Sequence, residues 1–182
     1  MGGKDIAEKN FESYNDVFAD IANGSMFRGE QIITAESLID ARTYSQYKAD
    51  GSVLHEQERD VAKFWLDAGC HIRLALLGIE NQMAVDLDMP LRVMGYDGAS
   101  YREELNQDGY EGVEKVGRQR RKRYPVLTIV LYFGVHPWKK PLSLYDAVEV
   151  PDYLKPFVSD YRINVVDVPR LTEEGISFGK AE

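Results

Sequence analysis

The residues best suited to chemistry gather in one stretch, Arg73-Leu74-Ala75-Leu76-Leu77-Gly78-Ile79-Glu80-Asn81-Gln82. Its apolar run from Leu74 to Ile79 ends abruptly in a carboxylate and two amides, so a buried strand would deliver Glu80 and Gln82 to an edge or cleft. A shorter run, Arg59-Asp60-Val61-Ala62-Lys63-Phe64-Trp65, carries a second acid, Asp60. Between the two runs lies Leu66-Asp67-Ala68-Gly69-Cys70, whose small and turn-forming residues suit a hairpin loop with Gly69 taking any positive φ. Antiparallel pairing about that loop would bring Asp60 to the Glu80 end of the other strand. Two facing carboxylates repel, raising the pKa of one of them unless a cation intervenes.

The chain that must position this pair has 182 residues, so one domain spanning 1–182 is expected, with about 70% of the unfolded surface buried. Hydrophobic residues at 44% and charged ones at 29% fit an ordinary globular protein. The single Cys70 excludes an internal disulfide and a cysteine-built zinc site. With no secretory apolar region at the start, a reducing, cytoplasmic setting is expected. No apolar run approaches the ~20 residues that span a bilayer, so no membrane association is expected. A net charge of −8 argues against indiscriminate attraction to nucleic acid.

That charge is unevenly spread. Arg118-Gln119-Arg120-Arg121-Lys122-Arg123 places five cations in six residues of an otherwise acidic chain. Such a run either is solvated or meets something anionic, and phosphate is the obvious candidate, because clustered Arg and Lys release counterions from polyanions.

Phe11, Tyr14, Phe18 and Ile21 recur at helical spacing, predicting an amphipathic helix from Asp5 to the stop signal Asn23-Gly24. Its opposite face carries Glu12, Asp16 and Asp20, acids expected in solvent unless one leans toward Asp60 and Glu80. Residues 25–57 lack a sustained period and read as a loop-rich insertion with a short strand at 31–34 and a short helix at 35–41 capped by Thr34. Beyond the hairpin, Asp88-Met89-Pro90 opens a helix expected to run from Met89 to about Asn106. Gly95 and Gly98 weaken it by ~1 kcal/mol each, a loss expected to be offset by close approach to the sheet. Val126 to Phe133 reads as a central strand and Arg162 to Val168 as a last one, with short helical turns between them. His136, in a loop, is expected to be exposed. The tail 172–182 has little to bury and is expected to fray.

The sum is a mixed α/β sheet flanked by helices. There is no phosphate-binding Gly-x-x-x-x-Gly-Lys-Ser/Thr loop, no Gly-x-Gly-x-x-Gly after a strand and no His-Glu-x-x-His helix, so a nucleotide-driven motor, a dinucleotide oxidoreductase and a zinc protease have no support.

Asp60 on one strand and Glu80-Asn81-Gln82 ending the next, then a helix and a further apolar strand, resembles the PD-(D/E)XK, or restriction-endonuclease-like, core. The phrases Asn15-Asp16-Val17-Phe18-Ala19-Asp20, Arg59-Asp60-Val61, Gly78-Ile79-Glu80-Asn81-Gln82, Met89-Pro90-Leu91-Arg92-Val93 and Tyr96-Asp97 more narrowly resemble the Rpn family of recombination-promoting nucleases, also described as transposase-like. The likeness runs from about Phe11 to Leu171. It implies a metal-dependent DNA endonuclease tied to DNA recombination or mobile elements. It further implies that Asp60 and Glu80 are the paired acids, that Asp16 is the acid of the first helix, and that Gln82 stands where the wider superfamily usually has lysine. After Leu171 the chain is expected to stop short of the last helix common among relatives.

Phosphodiester hydrolysis needs an attacking water, neutralisation of developing charge and help for the leaving oxygen, all of which Mg²⁺, or Mn²⁺ in its place, can supply. Asp60, Glu80 and the carbonyl of Asn81 are the hard oxygen donors such an ion prefers. Gln82 can hydrogen-bond a water or a phosphate oxygen but cannot serve as acid or base. Lys63, an odd number of positions from Asp60, should face the other way and cannot replace the missing lysine. Arg92 and Tyr96, four apart on one helix, could meet phosphate or simply cover the sheet. The expected partner is DNA, with a homodimer where both strands are cut. The other expectation is a nuclease fold that has lost catalysis and binds DNA or protein.

Overall fold

The computed structural model describes residues 9–48, 54–67, 69, 71–107 and 123–171. Within them a five-stranded mixed sheet is flanked by helices, as the alternation of strand-like and helix-like patterns predicts. The strands are β1 (Leu38–Asp40), β4 (Val61–Leu66), β5 (Arg73–Gln82), β6 (Val126–Tyr132) and β7 (Asn164–Asp167), adjacent in that order. β2 (Tyr44–Lys48) and β3 (Leu54–Glu58) form a separate antiparallel hairpin. The main helices are α1 (Asn15–Phe27) and α2 (Met89–Gln107), and a short α3 (Leu144–Ala147) follows.

Strand β5 is the hinge of the sheet. It runs antiparallel to β4, with Val61 opposite Ile79, and parallel to β6, with Glu80 opposite Val130. Alternation along β5 divides its side chains between two cores. Leu77 and Ile79 pack with Ile129 and Leu131 against Phe18, Ala19 and Ala22 of α1. On the other face Val130 and Tyr132 pack against Met89, Val93 and Tyr96 of α2, with Trp138 and Ile163. The same parity that buries Leu77 and Ile79 under α1 therefore aims Glu80 at α2. Lys63 faces the α1 side as expected from its spacing, over the Phe18 ring and paired with Asp40 at 2.5 Å.

Several local expectations are corrected. Residues 9–12 are helical, but Tyr14 is extended at φ −67, ψ 133, so this turn and α1 are separate. Asn23 does not end the helix. It is fully buried, its amide oxygen accepts from the backbone N–H of Ile32 and Ile33, and its amide nitrogen donates to the Ile33 carbonyl at 2.7 Å. The helix ends instead at Arg28, left-handed at φ 54. The stretch 25–57 is richer in strands than expected. Thr34 does cap a helical turn, Ala35–Ser37, but the next residues join the sheet as β1, and no strand forms at 31–34. Among the described residues of the β4–β5 loop the positive φ, 52, belongs to His71 and not to Gly69, whose N–H is held by the Asp67 carboxylate. Gly98 does not approach the sheet; it is exposed, and a Cβ there would meet nothing within 4 Å. The close approach belongs to Gly78, where a Cβ would stand 2.5 Å from Arg59 Cδ. No helix among the described residues is long and apolar enough to cross a membrane. The tail 172–182 lies outside the described residues.

Candidate active site

The β4–β5 hairpin brings Asp60 to the end of β5. The Asp60 N–H donates to the Ile79 carbonyl, and the Asn81 N–H donates back to Asp60 Oδ2 at 2.7 Å. Lys9, from the turn at 9–12, reaches Asp60 Oδ1 at 2.6 Å. One residue beyond Ile79, Glu80 is 5% exposed yet carries a carboxylate, an arrangement that demands compensation.

Compensation is partial. Glu80 Oε1 accepts from Arg92 Nη2 at 2.6 Å and from Gln82 Nε2 at 3.3 Å, and the Tyr96 hydroxyl lies 3.4 Å away. Its other oxygen, Oε2, is buried with no hydrogen-bond partner. Burial first, and then the negative charge of Asp60, push the Glu80 carboxyl up to about 7, against the opposing influence of Arg92, Tyr96 and Lys9. Arg92 is itself anchored by Asp86 at 2.7 Å. It holds Tyr96 as well, whose hydroxyl lies 2.9 Å from Nη2.

Asn81, one step along, points to the opposite face. Its Nδ2 donates to Glu12 Oε2 at 2.7 Å, and Glu12 is only 4% exposed. The resemblance implies Asp16 as the first-helix acid, but the acid of this segment that reaches β5 is Glu12. Asp16 is exposed and its carboxylate accepts from the neighbouring Val17 N–H. The break at Tyr14 is the reason, because residues 12 and 16 no longer share a continuous helical face. Glu12 stands among the acids noted on the polar face of the first helix, but nothing in the sequence singled it out, nor did any spacing rule single out Lys9.

A second polar cluster fixes the hairpin from behind. Arg59 is buried and donates to Asp97 at 2.8 Å, Ser100 at 2.8 Å and Thr128 at 3.0 Å. Thr128 and Tyr161 also donate to Asp97. Gly78 leaves the room this guanidinium needs. Two of the family-like phrases, Arg59-Asp60-Val61 and Tyr96-Asp97, thus each pair a scaffold residue with a neighbour at the acid cluster.

Of the basic run, Arg118, Arg120, Arg121 and Lys122 lie outside the described residues. Arg123 is half-buried and precedes β6 at its Val126 end. Because Val126 pairs with Leu76 and Tyr132 with Gln82, that end is the one remote from Glu80 along the parallel strands. His136 is exposed, as expected.

Glu80 Oε2 is the oxygen that most plainly asks for a cation, and Asp60, Glu80 and the Asn81 carbonyl are hard donors that fit Mg²⁺ or Mn²⁺. Among the described residues no three His, Cys, Asp or Glu side chains converge on a common point, so a protein amide or carbonyl would have to complete such a set. Comparison with known proteins finds no matching family model, no matching curated protein and no matching solved structure.

Proposed function

We propose that this chain is a metal-dependent DNA endonuclease with a restriction-endonuclease-like core, acting in DNA recombination or mobile-element biology. The observation that carries the reading is Glu80 at the end of a β-hairpin, with one buried oxygen unpartnered and its carboxyl raised by burial and by the charge of Asp60, which the adjoining Asn81 N–H holds. Asp60, Glu80 and the Asn81 carbonyl would hold Mg²⁺, or Mn²⁺ in its place. A bound divalent ion would neutralise phosphate charge and lower the pKa of a coordinated water.

The protein groups have distinct tasks. Asp60 is aimed by the Asn81 N–H. Glu80 must be ionised to act as a ligand, so metal affinity should rise as pH climbs through about 7. Gln82 donates to Glu80 Oε1 and orients that carboxylate, but brings no charge. Arg92, 39% exposed at its side chain, keeps a cation beside the acids where a phosphate oxygen could share it. The Arg118 to Arg123 run would hold the DNA backbone, and a dimer would serve to cut both strands.

The competing reading is a nuclease fold without catalysis, which binds DNA or protein. It is favoured by Gln82 and by the cations already on both acids, Lys9 on Asp60 and Arg92 on Glu80. Supercoiled plasmid incubated with Mg²⁺, with Mn²⁺ or with EDTA separates the two. The nuclease nicks in the metal lanes alone, and Asp60→Ala or Glu80→Ala drops nicking to the EDTA background while the circular dichroism spectrum is retained. Variants that cut at the parental rate would defeat the assignment of these acids, and a parental protein that binds DNA without cutting would favour the binder.

A further inference from the structure

We propose that Lys9 is a positioning residue of this site, acting through Asp60 to supply the positive charge that Gln82 cannot. The inference rests on the nuclease reading. The sequence alone would pass Lys9 over, since it lies far from both acids along the chain. Yet its ammonium sits 2.6 Å from Asp60 Oδ1 with the pair largely shielded, 31% exposed on Lys9 and 15% on Asp60.

The placement is built. Glu12, one turn on, is tied to Asn81 at 2.7 Å, which docks the turn at 9–12 on the end of β5. The Lys9 carbonyl accepts from the Ser13 N–H at 3.1 Å, closing that turn. An ammonium held against Asp60 keeps a full positive charge at the acid pair and fixes that carboxylate. The neutral amide of Gln82, bonded to Glu80, brings no charge.

Two effects of opposite direction follow. Lys9 competes with a divalent ion for Asp60, so Lys9→Met should tighten Mn²⁺ binding, followed by calorimetric titration of the DNA-free protein, by about three- to tenfold. The same change should lower kcat for plasmid nicking about tenfold or more at saturating Mn²⁺, with KM for DNA moving less. Lys9→Arg should restore most of kcat. Tighter metal binding with kcat unchanged would make Lys9 a mere counter-ion and overturn the proposal, as would no change in either quantity. If Lys9→Met lowers the melting temperature by more than a few degrees, Lys9→Gln takes its place, with the same outcomes required. A parent that never nicks plasmid sinks the nuclease reading by itself. The Mn²⁺ titration then still tests the Lys9–Asp60 competition, so the two failures are told apart.

Discussion

Two arginine–carboxylate pairs link the same helix, α2, to the same face of the sheet, and they are built to opposite standards. Arg59 and Asp97 are both buried, and Thr128, Ser100 and Tyr161 complete the hydrogen bonding around them. Arg92 and Glu80 are as close, 2.6 Å, but the arginine side chain is 39% exposed and Glu80 Oε2 is left without a partner. A pair kept only for stability is expected to resemble the first. The second keeps an unsatisfied carboxylate oxygen under cover, a standing cost that makes sense where something else is to be bound.

The largest effect expected from breaking the comparison is at the satisfied pair. Arg59→Met strands the Asp97 charge in a buried site, and loss of one partner of such a pair costs about 3–5 kcal/mol. Urea unfolding should show a midpoint collapse of that order. A loss near 1 kcal/mol would mean that water or rearrangement satisfies Asp97 and that the network is not the anchor of the hairpin.

Glu80→Gln should act in the reverse sense. The carboxyl is raised from 4.5 to about 7 in the folded protein, so between those values the folded state holds more protons than the unfolded chain. Stability attached to Glu80 is therefore present in full below pH 4.5, falls as pH rises through about 7 and stays low above it. At about 1.4 kcal/mol per pKa unit, the fall is on the order of 3 kcal/mol. The glutamine variant should match the parent near pH 4.5, exceed its melting temperature at pH 8 and lose the slope between. A parent that grows more stable relative to the variant over that window would contradict a buried, uncompensated Glu80. Divalent ion added at pH 8 should raise the melting temperature of the parent and not of the variant.

The contrast also marks what could be read in advance. The apolar run ending at Glu80 and the turn chemistry of 66–70 are local signals, and they lead to the β4–β5 pairing and to Asp60 at the Glu80 end of β5. Periodicity likewise located α2 to within a residue at its end. Lys9 and Glu12 were illegible because their roles depend on a helix break at Tyr14 that no proline or glycine announces. Asn23-Gly24 reads as a stop only if the asparagine is taken as local, whereas the side chain bonds to a loop ten residues on, at Ile33. Arg59, inside an ordinary strand pattern, gave no sign of binding a helix residue 38 positions away.

The smallest expected effects use two glycines to sharpen the same distinction. Gly78 lies beneath Arg59, where a Cβ would stand 2.5 Å from Cδ and 2.9 Å from Nε, so Gly78→Ala must displace a guanidinium fixed by three hydrogen bonds. Overpacking of this kind costs about 1–3 kcal/mol. Gly98 is also on the α2 side, in the middle of the helix, but its Cβ direction is open. Gly98→Ala should therefore stabilise by about 0.5–1 kcal/mol, by restricting the unfolded chain and raising helix propensity. Paired thermal melts of the two variants should move in opposite directions. If Gly78→Ala proved neutral, Arg59 would have room to retreat, and the rigidity attributed to the satisfied pair would have to come from elsewhere in the hairpin.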